Sequence, residues 1–328
     1  MEMIRMNGAG NSFFVLEDLE GELRRQGPGA LARQLCRPEE GEKTDGMIVI
    51  IPAEGDEDFG MLFYNADGSM GEMCGNGARC AARYGVEHGL VRDDQNIRFR
   101  ATAGEIRGRK ITEELYEVRL NSPTVIDRQR RAATPEETIE CCYVELGDPG
   151  IPHAVVRVGP EAFEDLDTLR ERGRALRYSE AFPKGANVTF VWEKEPGRVK
   201  AITFERGVED FTLACGTGAG ATAVSLGKSV EVKMPGGTLQ VELRVESGEL
   251  RLPLRRGPHP TSLRSATFRV AITDRFPLGL QMCTPAHLLN ASRPKGEGRG
   301  GGRKDGDEGT EIEVYLIGPT EISEKFTG

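Results

Sequence analysis

Aromatic residues are scarce in this 328-residue chain, at 6%, and there is a single tryptophan, Trp192. No stretch approaches the run of about eighteen apolar residues that a membrane-spanning helix needs, so no membrane span is expected. The seven cysteines include no Cys-x-x-Cys pair, and the four histidines are scattered, which argues against a metal site. Met1–Asn11 has no basic stretch ahead of an apolar run, so no secretory signal is expected. Adjacent cysteines such as Cys141 and Cys142 bridge poorly. A cytoplasmic protein holding reduced thiols is the expectation. Basic residues are outnumbered, 43 Lys and Arg against 52 Asp and Glu, and the net charge of −9 argues against a general nucleic-acid binder.

What the chain has in excess is glycine, 42 residues in all, roughly twice the usual share. There is no Gly-X-Y period, so a collagen-like fibre is excluded, and 38% hydrophobic content is enough to build cores. The length favours two domains. Strand-like segments are read at 3–6, 13–16, 46–51, 59–64, 97–100 and 116–120, with a basic amphipathic helix over 23–36 and an Ala-rich helix over 78–88. The segment Pro123–Glu137 is charged and reads as irregular, with a domain crossing near its start. A second module repeats the pattern, with strands near 143–146, 154–158, 187–192, 199–205 and 238–245. Its helices are read near 166–171 and over 216–226.

The strongest signal is an internal echo. Met73-Cys74-Gly75-Asn76-Gly77-Ala78 recurs as Ala214-Cys215-Gly216-Thr217-Gly218-Ala219, each copy following a strand and opening a small-residue helix. The separation is too long for a solenoid period and points to two similar domains, each contributing one thiol. A cysteine at a helix N-terminus faces unpaired N–H groups and the positive end of the helix dipole, both of which favour thiolate. The same turn is an anion site, and its glycines let backbone approach a ligand. Two such motifs facing each other across a cleft suit removal of an α-proton from an amino acid on one face and protonation on the other. No cofactor and no metal are required. The remaining cysteines, Cys36, Cys80, Cys141, Cys142 and Cys283, read as core or incidental.

With these residues in view, the chain resembles the diaminopimelate epimerase family. The matching blocks run through most of the sequence: Met6–Asn11, Tyr64–Ser69, Glu72–Cys80, Ile151–Val155, Gly185–Val188, Glu205–Gly207 and Leu213–Gly218. The resemblance implies an α/β (α+β) fold of two pseudo-symmetric domains, each a β-sheet wrapped around a central helix, with the active site in the interdomain cleft. It implies an N-terminal domain over 1–122, joined by the tail 319–328, and a C-terminal domain over 123–318. Cys74 and Cys215 would be the acid/base pair, converting LL-2,6-diaminopimelate to the meso form and back in lysine biosynthesis. Gly75, Asn76, Gly216 and Thr217 would offer N–H groups to the reacting carboxylate. Asn11, Asn65, Asn187, Glu205 and Arg206 would hold the amino groups and the distal carboxylate, with His153 in a supporting role. The partner is thus a small molecule, with no nucleic acid and no membrane, and a homodimer fits the family's habit.

Three departures stand out. Ile151 replaces an asparagine common before Pro-His in relatives, and Gly46 stands where some carry glutamine. A basic segment is inserted over about 252–309. Residues 251–310 carry eleven Arg and Lys against five Asp and Glu. Within it, 266–273 reads as a strand, 285–290 as a helical turn and 294–309 as a linker. Two alternatives remain open. One is a related cofactor-independent racemase acting on proline, hydroxyproline or histidine, although proline-racemase relatives carry histidine where this chain has Asn76. The other is a carboxylate-binding or redox-sensing module that uses the same thiols without turnover.

Overall fold

The computed structural model describes residues 2–37, 44–71, 74–102, 104–245 and 312–327. The expectations for the inserted segment, and for Cys283, Glu72 and Met73, lie outside the described residues.

In the first half, β1 (Glu2–Gly8) and β2 (Asn11–Glu17) form an antiparallel hairpin, and β2 runs parallel to β3 (Gly46–Ile51). β3 pairs antiparallel with β4 (Phe59–Asn65), which carries the two-residue β5 (Met70–Gly71) and runs parallel to β6 (Ile97–Ala101). Antiparallel β7 (Gly104–Lys110) and β8 (Leu115–Leu120) complete the run. In the second half, β9 (Pro123–Ala133) leads into β10 (Thr138–Leu146). From β10 the first-half pattern returns pairing for pairing through β11 (Ile151–Arg157), β12 (Asn187–Glu195), β13 (Arg198–Phe204), β14 (Val230–Met234), β15 (Gly237–Val245) and β16 (Ile312–Pro319).

The two halves also exchange strands. After β8 the chain crosses into β9, which pairs with β10, and after β16 it returns as β17 (Glu321–Thr327), which pairs with β1. β8 and β16 lie side by side, so all seventeen strands form one continuous curled sheet.

Five α-helices accompany the strands: α1 (Glu22–Gln26), α2 (Pro28–Leu35), α3 (Gly75–Glu87), α4 (Leu166–Arg177) and α5 (Gly216–Leu226). α3 and α5 occupy the same place in the repeat, between β5 and β6 and between β13 and β14. Each is wrapped by the strands of its own half. In α5, Gly218 to Ser225 are all buried. A helix enclosed on every side fits inside a curled sheet only if its side chains are small, which explains the run Ala-Gly-Ala-Thr-Ala. In α3, Gly75 to Ala82 are all buried, as are Tyr84 and Gly85. Among the described residues, no helix is long and apolar enough to cross a membrane.

Two local expectations are corrected. The segment 123–137, read as irregular, is mostly the eleven-residue strand β9, with only Ala132 buried along it. An edge strand whose exposed positions carry arginines shows no apolar alternation, so the period-two signal is missing. The helix read over 23–36 is split at Gly27, whose φ of 85° ends α1, and Pro28 then opens α2.

Candidate active site

The two cysteines stand in matched positions. Cys74 caps α3 with φ −133° and ψ 105°, and Cys215 caps α5 with φ −121° and ψ 106°. Cys74 Sγ accepts from Gly77 N at 3.4 Å, and Cys215 Sγ accepts from Gly218 N at 3.3 Å. Each sulfur therefore takes the role usually held by a serine or aspartate oxygen, satisfying one orphan donor of the first turn. The two helix starts abut. A β-carbon on Gly216 would lie 3.6 Å from Gly75 Cα and 2.7 Å from a Leu316 methyl. Only glycine permits this approach, which brings both turns to one junction.

Asn76 bridges that junction. Its Nδ2 donates to Ala214 O at 3.4 Å, on the residue before Cys215, and to Asn11 Oδ1 at 2.5 Å. Asn11 donates in turn to Asp45 Oδ2 at 3.3 Å, which also accepts from Ser12 N at 2.9 Å. Asn11 is thus brought to the site as a link in a chain from Asp45 to Ala214. Thr217, the counterpart of Asn76, places its hydroxyl 3.5 Å from Cys215 Sγ.

The electrostatics differ from the sequence expectation. Burial pushes the Cys74 thiol up to about 11, outweighing the Gly77 and Asn76 N–H groups and the charge of Arg79, which favour thiolate. Cys215 is also raised well above the usual thiol range, by burial and by the Glu205 carboxylate. Cys215 is buried and Cys74 half-buried, and partial loss of water costs a thiolate more than two helix-terminal N–H groups return. Glu205 is half-buried, accepts from Thr212 Oγ1 at 2.7 Å and acts electrostatically on the Cys215 thiol. Burial raises its own carboxyl above the usual range.

The other expected residues cluster at the strand ends leading to these loops. Asn187 opens β12, and its Oδ1 accepts from Arg206 N at 2.8 Å. The exposed Arg206 side chain donates to Lys184 O at 3.1 Å. Asn65 closes β4, and its Nδ2 donates to Ser69 Oγ at 3.0 Å. His153 pairs with Asn187 in the β11–β12 register and is wholly buried, and neither ring nitrogen has a protein partner. Burial, with Arg206 nearby, lowers it to about 3, so it is a neutral imidazole. Ile151 opens β11 as Asn11 opens β2, so the departing residue sits at the repeat-equivalent of Asn11. Among the described residues, no group of His, Cys, Asp and Glu is placed to hold a metal ion.

Sequence reasoning missed three features. Asp45, which anchors Asn11, belongs to no motif in the sequence, and only the fold brings it to Asn11 and Ser12. Arg79 directly follows the first motif, in the helix it opens, and is wholly buried. Thr189 and Thr203 pair across β12 and β13 at 3.1 Å between hydroxyls, directly beneath Gly218. Their counterparts in the first half are Ile48 and Phe63. Comparing the two copies position by position would have exposed this polar-for-apolar exchange.

Comparison with known proteins identifies the family. The profile of the family described as Diaminopimelate epimerase matches residues 3–122 and 147–256. A diaminopimelate epimerase of Aquifex aeolicus (strain VF5) is 38% identical over 265 residues, 76% of this chain and 88% of its own length. One from Carboxydothermus hydrogenoformans is 34% identical over 254 residues, 73% of this chain and 90% of its own length. Among solved structures, a hydroxyproline epimerase from Agrobacterium vitis superposes with a TM-score of 0.61, covering 99% of this chain and 91% of its own at 13% identity, and so shares the fold. A probable proline racemase from Agrobacterium radiobacter K84 gives 0.59, covering 100% of this chain and 92% of its own at 14% identity. On the match over both halves and these identities, the chain belongs to the diaminopimelate epimerase family.

Proposed function

We propose that this chain interconverts LL- and meso-2,6-diaminopimelate without a cofactor, in lysine biosynthesis, with Cys74 and Cys215 as the acid/base pair. The observation that carries this reading is the pair of equivalent cysteine caps meeting at Gly75 and Gly216. One sulfur, as thiolate, takes the α-proton as the C–H bond breaks, and the electron pair moves onto the carboxylate. The opposite thiol delivers its proton to the other face of the planar carbon. The two sulfurs have then exchanged protonation states, which makes the reaction reversible through the same groups.

The N–H groups of Gly75, Asn76, Gly216 and Thr217 would hold the reacting carboxylate, where negative charge builds in the transition state. Glu205 would take an ammonium group, and Arg206 the distal carboxylate. Asn65 and Asn187 would fix the amino ends, Asn11 would act beside Asn76, and neutral His153 would shape the wall. The working units are taken as 1–122 with 319–328, and 123–318, so that one cysteine comes from each.

Incubation with LL-diaminopimelate in D₂O, without pyridoxal phosphate, tests the reading. Meso product and deuterium at the α-carbon are expected. If neither forms while proline or hydroxyproline exchanges its α-proton, the substrate assignment fails and the neighbouring racemase class takes its place.

A further inference from the structure

Arg206 sits in the loop 205–210 at the end of β13, which Phe204 and Phe211 bridge at its base. Arg206, Gly207, Val208 and Asp210 are exposed, so burial does little to hold this loop. Hydrogen bonds hold it instead. Glu205 N donates to Asp210 O at 3.0 Å, and Glu209 N donates to Glu205 O at 2.8 Å. Glu209 has a φ of 58°, a left-handed conformation that a residue with a β-carbon adopts only at a cost. Its half-buried side chain accounts for the retention of that strain. Oε1 accepts from Gly207 N at 3.0 Å and from Arg177 Nε at 3.2 Å, and Oε2 accepts from the Tyr178 hydroxyl at 2.9 Å. Arg177 is the last residue of α4 and Tyr178 its cap. One carboxylate thus ties an exposed loop to a helix.

The tie falls at a telling place. Two peptide groups flank the Cα of Arg206. The one before it is held by Asn187, whose Oδ1 accepts from Arg206 N at 2.8 Å, and the one after it is held by Glu209 through Gly207 N. With both planes fixed, φ and ψ of Arg206 are set, and with them the direction of its Cα–Cβ bond. Arg177 acts on a second loop as well. A β-carbon on Gly185 would overlap its Nη1, and the neighbouring Lys184 O accepts from Arg206 Nη1 at 3.1 Å. The first half holds its own loop more lightly. There α2 takes the place of α4, and Arg33 Nη1 donates to the neutral Asp67 O at 3.3 Å. That loop, 65–69, carries no cation to aim.

We propose that Glu209 is a positioning residue for the distal end of the substrate: anchored on Arg177 and Tyr178, it fixes the peptide that follows Arg206 and so aims the Arg206 side chain. The inference rests on the reading of Arg206 as the group that takes the distal carboxylate. Preorganisation is the physical gain. An arginine on a free loop is ordered only when the substrate arrives, and the entropy lost then is subtracted from affinity. A loop already tied to α4 has lost that entropy on folding. Arg170 of α4 braces the far side of the loop, its Nε donating to Asp210 Oδ1 at 2.7 Å, while Glu209 holds the peptide next to Arg206.

Kinetics with LL-diaminopimelate and hydrogen exchange of the full chain test this together. Glu209→Gly removes the carboxylate and adopts the same φ without strain. It should raise KM about tenfold and change kcat by less than about threefold, the pattern of lost binding common to ground and transition states. Glu209→Gln, which keeps an acceptor oxygen for Gly207 N, should recover most of the parent KM. In an Arg206→Ala background, Glu209→Gly should add less than about twofold, because both changes remove one contact. A merely structural Glu209 would give multiplied effects. In exchange followed by mass spectrometry, amides within 205–210 should exchange about tenfold faster in Glu209→Gly, with those of β13 unchanged. An unchanged KM in Glu209→Gly, or full multiplication with Arg206→Ala, would overturn the proposal. So would unchanged exchange in 205–210, which is read without substrate. A parental KM in Arg206→Ala would overturn the Arg206 reading and the proposal together, and that result tells the two failures apart.

Discussion

A β-carbon on Gly75 would lie 3.9 Å from the Cα of Gly216, so the first helical residues of the two halves rest directly on each other. This contact brings the two cysteine-capped turns to one junction. A methyl group at Gly216 would meet a Leu316 methyl at 2.7 Å and Asn76 Oδ1 at 3.4 Å. Gly216→Ala is therefore expected to destabilise the fold by about 1–3 kcal/mol through overpacking. It should also lower kcat by spreading the loops. Urea denaturation and the epimerase assay, run side by side, check both effects. A variant of parental stability and activity would mean that the close approach is incidental.

Cys74→Ala and Cys215→Ala should each lose epimerisation by several orders of magnitude, since a two-sided proton transfer needs both groups. Their stabilities should change much less, because the hydrogen bonds each sulfur makes as a cap are weak. Conversion of LL-diaminopimelate measured beside thermal unfolding separates the two quantities. Substantial turnover by Cys74→Ala would end the two-thiol mechanism.

Glu205 raises the pKa of both thiols. The sign is that of like charges, because an ionised carboxylate disfavours a nearby thiolate and its removal lets the thiolate form at lower pH. Glu205→Gln is expected to lower the pH midpoint for iodoacetamide labelling of Cys215 by about one pH unit. If Glu205 holds the substrate ammonium as proposed, the variant should also raise KM. An upward shift of the midpoint would show that the carboxylate serves the thiol chiefly as a proton acceptor.

The cysteine loops were legible in the sequence because their determinants are local. A capping side chain, two glycines and a small-residue helix fall within a few positions, and the second copy repeats them in register. The strands of both halves could be read for the same reason, from β-branched runs such as Met47–Ile51. What could not be read depends on contacts distant in sequence. Arg79 looks like an ordinary helical arginine until β16, more than two hundred residues later, closes over it. β9 hides because its exposed face carries arginine where an apolar pattern would announce a strand. Thr189 and Thr203 are unremarkable in two separate strands, and only their pairing beneath Gly218 gives them meaning. The rise in the thiol pKa values has the same origin, because helix ends are visible in a sequence while the exclusion of water from them is not.

His153 supplies a prediction that is independent of activity. Wholly buried and lowered to about 3 from an ordinary 6.5, it stays neutral in the folded protein where the unfolded chain takes up a proton. Between those two values the unfolded state binds more protons, so stability rises with pH across the window and is lost as pH falls below about 6.5. The slope from this one group is about 1.4 kcal/mol per pH unit, which amounts to about 2 kcal/mol between pH 7 and pH 5. Urea denaturation at these two pH values should show that loss in the parent protein. His153→Phe fills the same space with no titrating group, so the loss should shrink by about that amount. An equal loss in the variant would mean that water or a proton reaches the imidazole in the folded state, and that His153 is part of the open site and not of its wall.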